Sequence, residues 1–149
     1  MMRVRQAVIA LAPSAFLIGC GGAAAPTATE TAQDIEASVE QVSEVVTVTG
    51  ENDPNDMIGR DSGYEDAAVL KDERLECGGD RFGTDCGAMI EVWADEEAAA
   101  ARDEYISTIH DAAPILGSEY RTVDGRTILR VSGELTPEQA DAYTSAFTD

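Results

Sequence analysis

The sequence contains very little lysine, few aromatic residues and no long hydrophobic run. Lys71 is the single lysine among 149 residues, and 29 acidic residues against 10 basic ones give a net charge of −19. A surface this acidic repels phosphate backbones and anionic headgroups, so we expect no nucleic-acid partner. The longest mostly apolar stretch, residues 7–18, would rise about 18 Å as a helix, which is too short to span a hydrocarbon core of about 30 Å.

The cysteine content is also low, at three, and the first cysteine ends this apolar stretch. Basic residues before the stretch and a small residue near its end are typical of a secretory signal. The residues Leu17-Ile18-Gly19-Cys20 resemble the bacterial lipobox. The resemblance implies a diacylglyceryl group on the Cys20 thiol and cleavage between Gly19 and Cys20. An ordinary secretory signal, or a buried free cysteine, is the alternative.

The lipobox resemblance implies where the protein is located. Residues 1–19 would be a lipoprotein signal peptide, and Cys20 would be the lipidated first residue of the mature chain. Two or three acyl chains, such as palmitate, hold a protein at a membrane where one chain does not. The expected location is therefore the outer face of the cell membrane, and the expected membrane contact is the lipid anchor.

Residues 20–50 include a stretch rich in threonine and alanine, without a basic or an aromatic residue. This composition predicts a flexible tether between the anchor and a folded domain. Four apolar residues nevertheless recur at helical spacing, namely Ile35, Val39, Val42 and Val46. A short helix over residues 33–46, docked on the domain or self-associating, is therefore the alternative.

Residues 51–149 are predicted to form one extracytoplasmic α+β domain. Strands are expected within residues 64–71 and 87–93, and Glu91 shares one side of the second strand with Met89 and Trp93. The element order strand, strand, helix, hairpin, helix predicts an antiparallel four-stranded sheet with two helices on one face.

Local signals place the later elements of this domain. Asp95 is a good N-cap for the first helix, which ends before Pro114 and carries Ala98, Ala101, Tyr105, Ile109 and Ala112 on one face. Asp124-Gly125 between two β-rich runs predicts a type I′ hairpin in which Tyr120 faces Leu129 and Glu119 faces Arg130. A capping box with proline at Pro137 begins the last helix.

Cys77 and Cys86 flank a glycine-rich loop. Outside the reducing cytosol two neighbouring thiols can oxidise, so we predict a disulfide between them. Zinc is the alternative, but it requires two further ligands, and the chain has a single histidine, His110. The spacing also differs from the C-x-x-C arrangement of redox-active pairs.

The polar stretch over residues 51–66 provides the candidate ligand-binding residues. We single out Asp53, Asn55, Arg60 and Tyr64 as side chains that can contact a ligand. Calcium prefers such oxygen ligands, but the spacing from Asp53 does not fit the EF-hand loop. The alternative is a turn-rich segment that packs onto the sheet. The sequence contains no recognisable catalytic motif, and we predict no catalytic residue, metal ion or cofactor.

Three stretches resemble small actinobacterial surface lipoproteins of uncharacterised function: the opening Asp53-Pro54-Asn55…Gly59-Arg60…Tyr64, IEVWAD at residues 90–95 and VSGELTP at residues 131–137. The resemblance implies a lipid-anchored extracytoplasmic domain and carries over no catalytic residue. We therefore predict a non-catalytic binding or accessory module for an unknown protein or small ligand. A secreted inhibitor or protein-interaction domain is the first alternative. A small acid-dependent hydrolase, marked by paired carboxyl groups with raised pKa values, is the second.

Overall fold

The computed structural model describes residues 25–149. They form three α-helices and one antiparallel sheet of five strands, which confirms the predicted α+β class. The helices are α1 (Ala28–Ser38), α2 (Glu96–Ala112) and α3 (Pro137–Thr148). The strands are β1 (Val42–Thr47), β2 (Asp66–Asp72), β3 (Gly87–Val92), β4 (Glu119–Asp124) and β5 (Thr127–Ser132).

The predictions for the N-terminus concern residues that lie outside this range. The predicted signal peptide over residues 1–19 and the predicted lipid acceptor Cys20 are not among the described residues. Between residues 25 and 149, no helix combines the length and the apolar character needed to cross a bilayer.

The sheet has the strand order β1-β2-β3-β5-β4. The prediction of four strands and two helices missed one strand and one helix. α1 and β1 fall within residues 20–50, where we expected a tether. β1 pairs with β2 and forms one edge of the sheet. The folded unit therefore begins well before residue 51.

The alternative of a short helix over residues 33–46 is also corrected. α1 begins at a capping box between Thr27 and Glu30 and ends at Ser38, and the chain then continues as β1. The β-branched run over residues 45–48 favours extended backbone, and β2 offers it a hydrogen-bonding partner. Three residues of the predicted apolar stripe, Ile35, Val39 and Val42, are nevertheless buried in the core.

Helices cover both faces of the sheet rather than one. α1 and α3 pack on one face, here called the α1/α3 face, whose core includes Ile35, Leu70, Ile90, Leu129, Val131 and Tyr143. α2 lies on the opposite face, the α2 face, whose core includes Val69, Met89, Trp93, Ala99 and Ile128. The expectation of two helices on one face was wrong because β2, β3 and β5 carry apolar side chains on both sides. Strands of this kind require cover on both faces.

The β4–β5 hairpin differs from the prediction by two residues in register. Asp124 pairs with Thr127, so Gly125 and Arg126 form the turn, and Tyr120 pairs with Val131. Gly125 has a φ of +55° and Arg126 does not have a positive φ, which fits a type II′ turn rather than a type I′ turn. A shift of two leaves every side chain on its predicted face.

Candidate functional site

A cleft of about 690 Å³ opens on the α2 face, between α2 and the loop over residues 55–63. We call it the α2 cleft. Its loop wall consists of Asn55, Met57, Asp61, Ser62 and Gly63, and its helix wall of Ala98, Ala101, Arg102, Tyr105, Ile106, Ile109 and His110. Trp93, Ala94 and Arg130 complete the lining. The volume lies in the range of small-molecule sites in proteins.

The apolar stripe of α2 forms one wall of the cleft instead of core. Ala98, Ala101, Tyr105 and Ile109, which the sequence places on one helical face, all line it. α2 has 17 residues but buries only Ala99 and Ile106 fully. Tyr105 is 58% exposed, so a large aromatic side chain stands at the mouth. A helix with an apolar stripe beside open space offers an apolar surface to a ligand.

The floor of the cleft is an ionic cluster centred on Glu91, which is fully buried. Its carboxylate accepts hydrogen bonds from Arg102 Nε and Nη2 at 3.2 Å each, from Trp93 Nε1 at 3.2 Å and from Arg130 Nη1 at 2.5 Å. These four bonds use the whole acceptor capacity of a carboxylate. Glu91 therefore holds two guanidinium groups and the tryptophan ring in fixed positions.

Arg130 joins Glu91 to a second carboxylate at the rim of the sheet. Its Nε and Nη2 donate to the two oxygens of Glu119 at 2.9 and 2.6 Å. Burial alone would lower the pKa of Arg130, but Glu91 and Glu119 outweigh it and raise that pKa above its usual value. Arg130 also lines a smaller polar cleft of about 300 Å³, so it stands between the two spaces.

The loop wall is organised by Asp53, whose side chain is buried. Its carboxylate accepts from the backbone N–H groups of Asn55, Met57 and Ile58 at 2.7–2.8 Å and from the Tyr64 hydroxyl. Burial raises the pKa of Asp53, but these four hydrogen bonds outweigh it and hold the pKa below its usual value. Burial and the neighbouring carboxylate raise the pKa of Tyr64.

The loop also requires a glycine where it folds back on itself. A β-carbon on Gly63 would lie 1.8 Å from the Met57 carbonyl oxygen, so any other residue would force the loop apart. Gly63 and Met57 both line the cleft. The shape of this wall is thus fixed by backbone contacts.

The four candidate ligand-binding residues have different places in the structure. Asp53 and Tyr64 are buried and bonded to each other behind the loop wall. Asn55 lines the α2 cleft, whereas Arg60 is exposed on the loop and does not line it. The structure therefore brings three of the four to the wall of one site, two of them as its support.

The predicted disulfide between Cys77 and Cys86 is confirmed. The loop that it closes contacts the Asp53 loop, because Arg81 Nη1 donates to the Asp53 carbonyl oxygen at 3.0 Å and pairs with Asp56 at 2.9 Å. Both thiols are used, so neither is left as a ligand for zinc. The disulfide thereby supports the cleft wall from behind.

The cleft offers recognition groups more than groups poised for proton transfer. Among residues 25–149, every carboxyl group with a perturbed pKa has it lowered: Glu30, Asp53, Asp56 and Asp72. The same residues contain no group of three or more His, Cys, Asp or Glu side chains placed to hold a metal ion. The arrangement combines apolar walls, two aromatic rings and two guanidinium groups.

Sequence reasoning missed the charged residues of the floor. The strand pattern puts Glu91 on the side of Met89 and Trp93. It does not predict which basic residues accompany this buried carboxylate. Arg102 and Arg130 lie 11 and 39 positions from Glu91 in the chain, so no local pattern joins them. One signal was present in the sequence: the alternation of residues 87–93 places Glu91 on a covered face of the sheet. A carboxylate buried there requires charged or hydrogen-bonding partners.

Comparisons of the chain with protein-family models, with curated proteins and with solved structures found no significant match.

Proposed function

We propose that this protein is a non-catalytic binding module at the outer face of the cell membrane, and that the α2 cleft takes a small amphipathic ligand. The cleft carries the proposal: it has about 690 Å³ of space, apolar walls and a floor of fixed, charged groups. Sites for small ligands typically combine a mostly apolar lining with a few precisely placed polar groups.

The membrane location rests on the sequence. The lipobox-like residues 17–20 support lipidation of Cys20, and the described domain begins close behind that residue. α1 starts at Ala28, so only a few residues separate the anchor from the fold. A short tether of this kind would keep the cleft near the membrane surface, where amphipathic molecules concentrate.

The two alternatives have less support in the structure. A protein-interaction domain would engage its partner through an exposed sheet face or through the Cys77–Cys86 loop, and α1, α2 and α3 cover both faces of the sheet. A hydrolase was expected to bring together two carboxyl groups with raised pKa values. Glu91 is instead saturated by hydrogen bonds from basic and indole donors.

Ligand binding is tested by filling the cleft. Ala101 is exposed and lines the cleft, whereas Ala100 is exposed on α2 without lining it. In the full chain carrying Cys20→Ser, which lacks the lipid acceptor, we expect Ala101→Phe to weaken binding of anilinonaphthalene sulfonate by at least about tenfold. Ala100→Phe is the matched control and should bind as the parent does. Equal binding by both variants would place the probe elsewhere and contradict the proposal.

The anchor is tested by metabolic labelling with a fatty acid. The label and the membrane fraction should both be lost in Cys20→Ser and kept in Gly22→Ala, which leaves the acceptor thiol in place. Labelling that persists in Cys20→Ser would show that the protein is not anchored through this residue.

A further inference from the structure

The floor of the α2 cleft presents hydrogen-bond donors and hardly any free acceptors. Glu91 accepts four bonds and has no capacity left for a ligand. Arg102 faces Glu91 with Nε and Nη2, and within residues 25–149 its Nη1 donates to no protein atom. A guanidinium group is planar and rigid, so the Nη1 group points away from the carboxylate that the other two nitrogens hold.

The charged side chains that line the cleft are mostly basic, unlike those of the chain as a whole. Arg102 and Arg130 line it, whereas their partner Glu91 lies behind them. Asp61 is the one acidic residue in the lining, and His110 stands at the end of the helix wall. In a chain with a net charge of −19, this is a small patch in which cationic groups outnumber anionic ones.

Arg102 is held in place by aromatic rings as well as by Glu91. Its guanidinium carbon lies 5.9 Å from the centre of the Trp93 ring and 6.0 Å from the centre of the Tyr105 ring. Only 9% of its side chain is exposed. Arg102 is thus fixed and partly desolvated, and it keeps unused hydrogen-bond donors. Such a guanidinium group suits a planar anion, because carboxylates accept two parallel hydrogen bonds from arginine.

We propose that the α2 cleft recognises an amphipathic carboxylate, with Arg102 binding the carboxylate and the stripe of α2 binding the apolar body. This inference rests on the proposed binding function and adds the chemical class of the ligand to it. Arg102 is the group that distinguishes a carboxylate from a neutral or cationic head. Met57, Ala101, Tyr105 and Ile109 accept any apolar body of suitable size.

The test compares three probes with a ten-carbon chain and different head groups: decanoate, decanol and decyltrimethylammonium. Binding is measured below the micelle-forming concentrations with the full chain carrying Cys20→Ser. The single tryptophan, Trp93, lines the cleft and reports occupancy through its fluorescence. We expect decanoate to bind at least about tenfold more tightly than decanol, and the cation to bind most weakly.

Two arginine variants separate the head group from the body. Arg102→Gln should weaken decanoate about tenfold while changing decanol by less than about twofold. Arg60→Gln is the matched control, because Arg60 is exposed and does not line the cleft. If Arg102→Gln does not fold, the head-group series on the parent chain decides the question by itself.

The outcomes distinguish the inference from the function on which it rests. Equal affinity for decanoate and decanol, with both weakened by Ala101→Phe, would overturn the role of Arg102 and leave the cleft as an apolar site. Preference for the cation would also overturn it. If no probe binds, or if Ala101→Phe changes nothing, the proposed binding function itself fails.

Discussion

The two faces of the sheet are formed by the same strands but held by different chemistry. On the α1/α3 face, apolar side chains such as Ile35 and Tyr143 pack against Ile90 and leave a closed core. On the α2 face, a 17-residue helix is fully buried at only two positions, Ala99 and Ile106. One face is therefore closed by the larger hydrophobic core, and the other combines a smaller core with a cleft beside its helix.

Ion pairs attach α2 to the sheet in addition to its two buried residues. Arg102 pairs with Glu91 at 3.2 Å, and Asp103 pairs with Arg121 on the edge strand at 2.6 Å. Arg121 also donates to the Ser107 hydroxyl at 2.5 Å. Directional contacts of this kind hold a helix at a defined distance without filling the space beside it. The comparison assigns the larger hydrophobic core to the α1/α3 face and binding to the α2 face.

We expect the largest loss of stability when Glu91 is removed. Glu91→Ala leaves Arg102 and Arg130 without their shared carboxylate, and breaking a buried ion pair costs about 3–5 kcal/mol. We expect a loss of that size in the free energy of unfolding, measured by urea denaturation of the full chain carrying Cys20→Ser. Glu104→Ala, on the exposed side of α2, is the control and should stay within about 0.5 kcal/mol of the parent. Equal stability of the two variants would contradict the cluster.

Ile90, the residue before Glu91, tests the α1/α3 face. Ile90 is fully buried on the α1/α3 face, one position before Glu91. Ile90→Ala should reduce the free energy of unfolding by about 2–5 kcal/mol through the cavity that it leaves. Because its side chain points away from the cleft, decanoate affinity should change by less than about twofold in the folded variant. Weakened binding in Ile90→Ala would show that the two faces are coupled.

The disulfide supports the α2 face, so its removal should affect both properties. The double variant Cys77→Ser/Cys86→Ser opens a loop of about ten residues, and we expect a loss of about 2–3 kcal/mol in the free energy of unfolding. Decanoate binding should weaken as well, because the closed loop holds Asp53 through Arg81. A reductant should destabilise the parent and leave the double variant unchanged. A double variant as stable as the oxidised parent would contradict this role.

Sequence patterns predicted the parts of the fold that depend on local chemistry. The capping residues Asp95 and Thr136 begin α2 and α3 as expected, and the faces of β5 are as predicted. The pairing of Glu119 with Arg130 was also predicted, although in direct register. In the structure the pair is diagonal and largely buried. The turn type sets the register, and the burial of the pair depends on segments that meet it only in the tertiary fold.

Sequence patterns did not predict the features that depend on contacts between distant segments. The stripe from Ile35 to Val46 has helical spacing, but pairing with β2 converts its second half into a strand. The site depends on Arg102 and Arg130 meeting Glu91, which only the tertiary fold achieves. A buried charge gives no periodic signal, since its cost is offset by partners that the local sequence does not show.

The smallest expected effects come from two buried tyrosines, one on each face. Tyr143 donates to Asp72 at 2.6 Å on the α1/α3 face, and Tyr64 donates to Asp53 on the α2 face. Each aspartate keeps three further donors, so removing the hydroxyl in Tyr143→Phe or Tyr64→Phe should cost about 1.5 kcal/mol in the free energy of unfolding.

The pH dependence of these two variants sharpens the comparison of the faces. Burial raises the pKa of Asp72 and of Asp53, but their hydrogen bonds outweigh it and hold both pKa values below the usual one. A lowered native pKa adds stability above about pH 4, and that stability is lost as the pH falls through the native pKa. Without the tyrosine hydroxyl the native pKa of the aspartate rises toward the unfolded value, so both variants should lose less stability on acidification than the parent does.

Only Tyr64→Phe should also weaken the binding of decanoate, because Asp53 shapes the cleft wall and Asp72 does not. Equal binding by the two variants would remove that distinction between the faces.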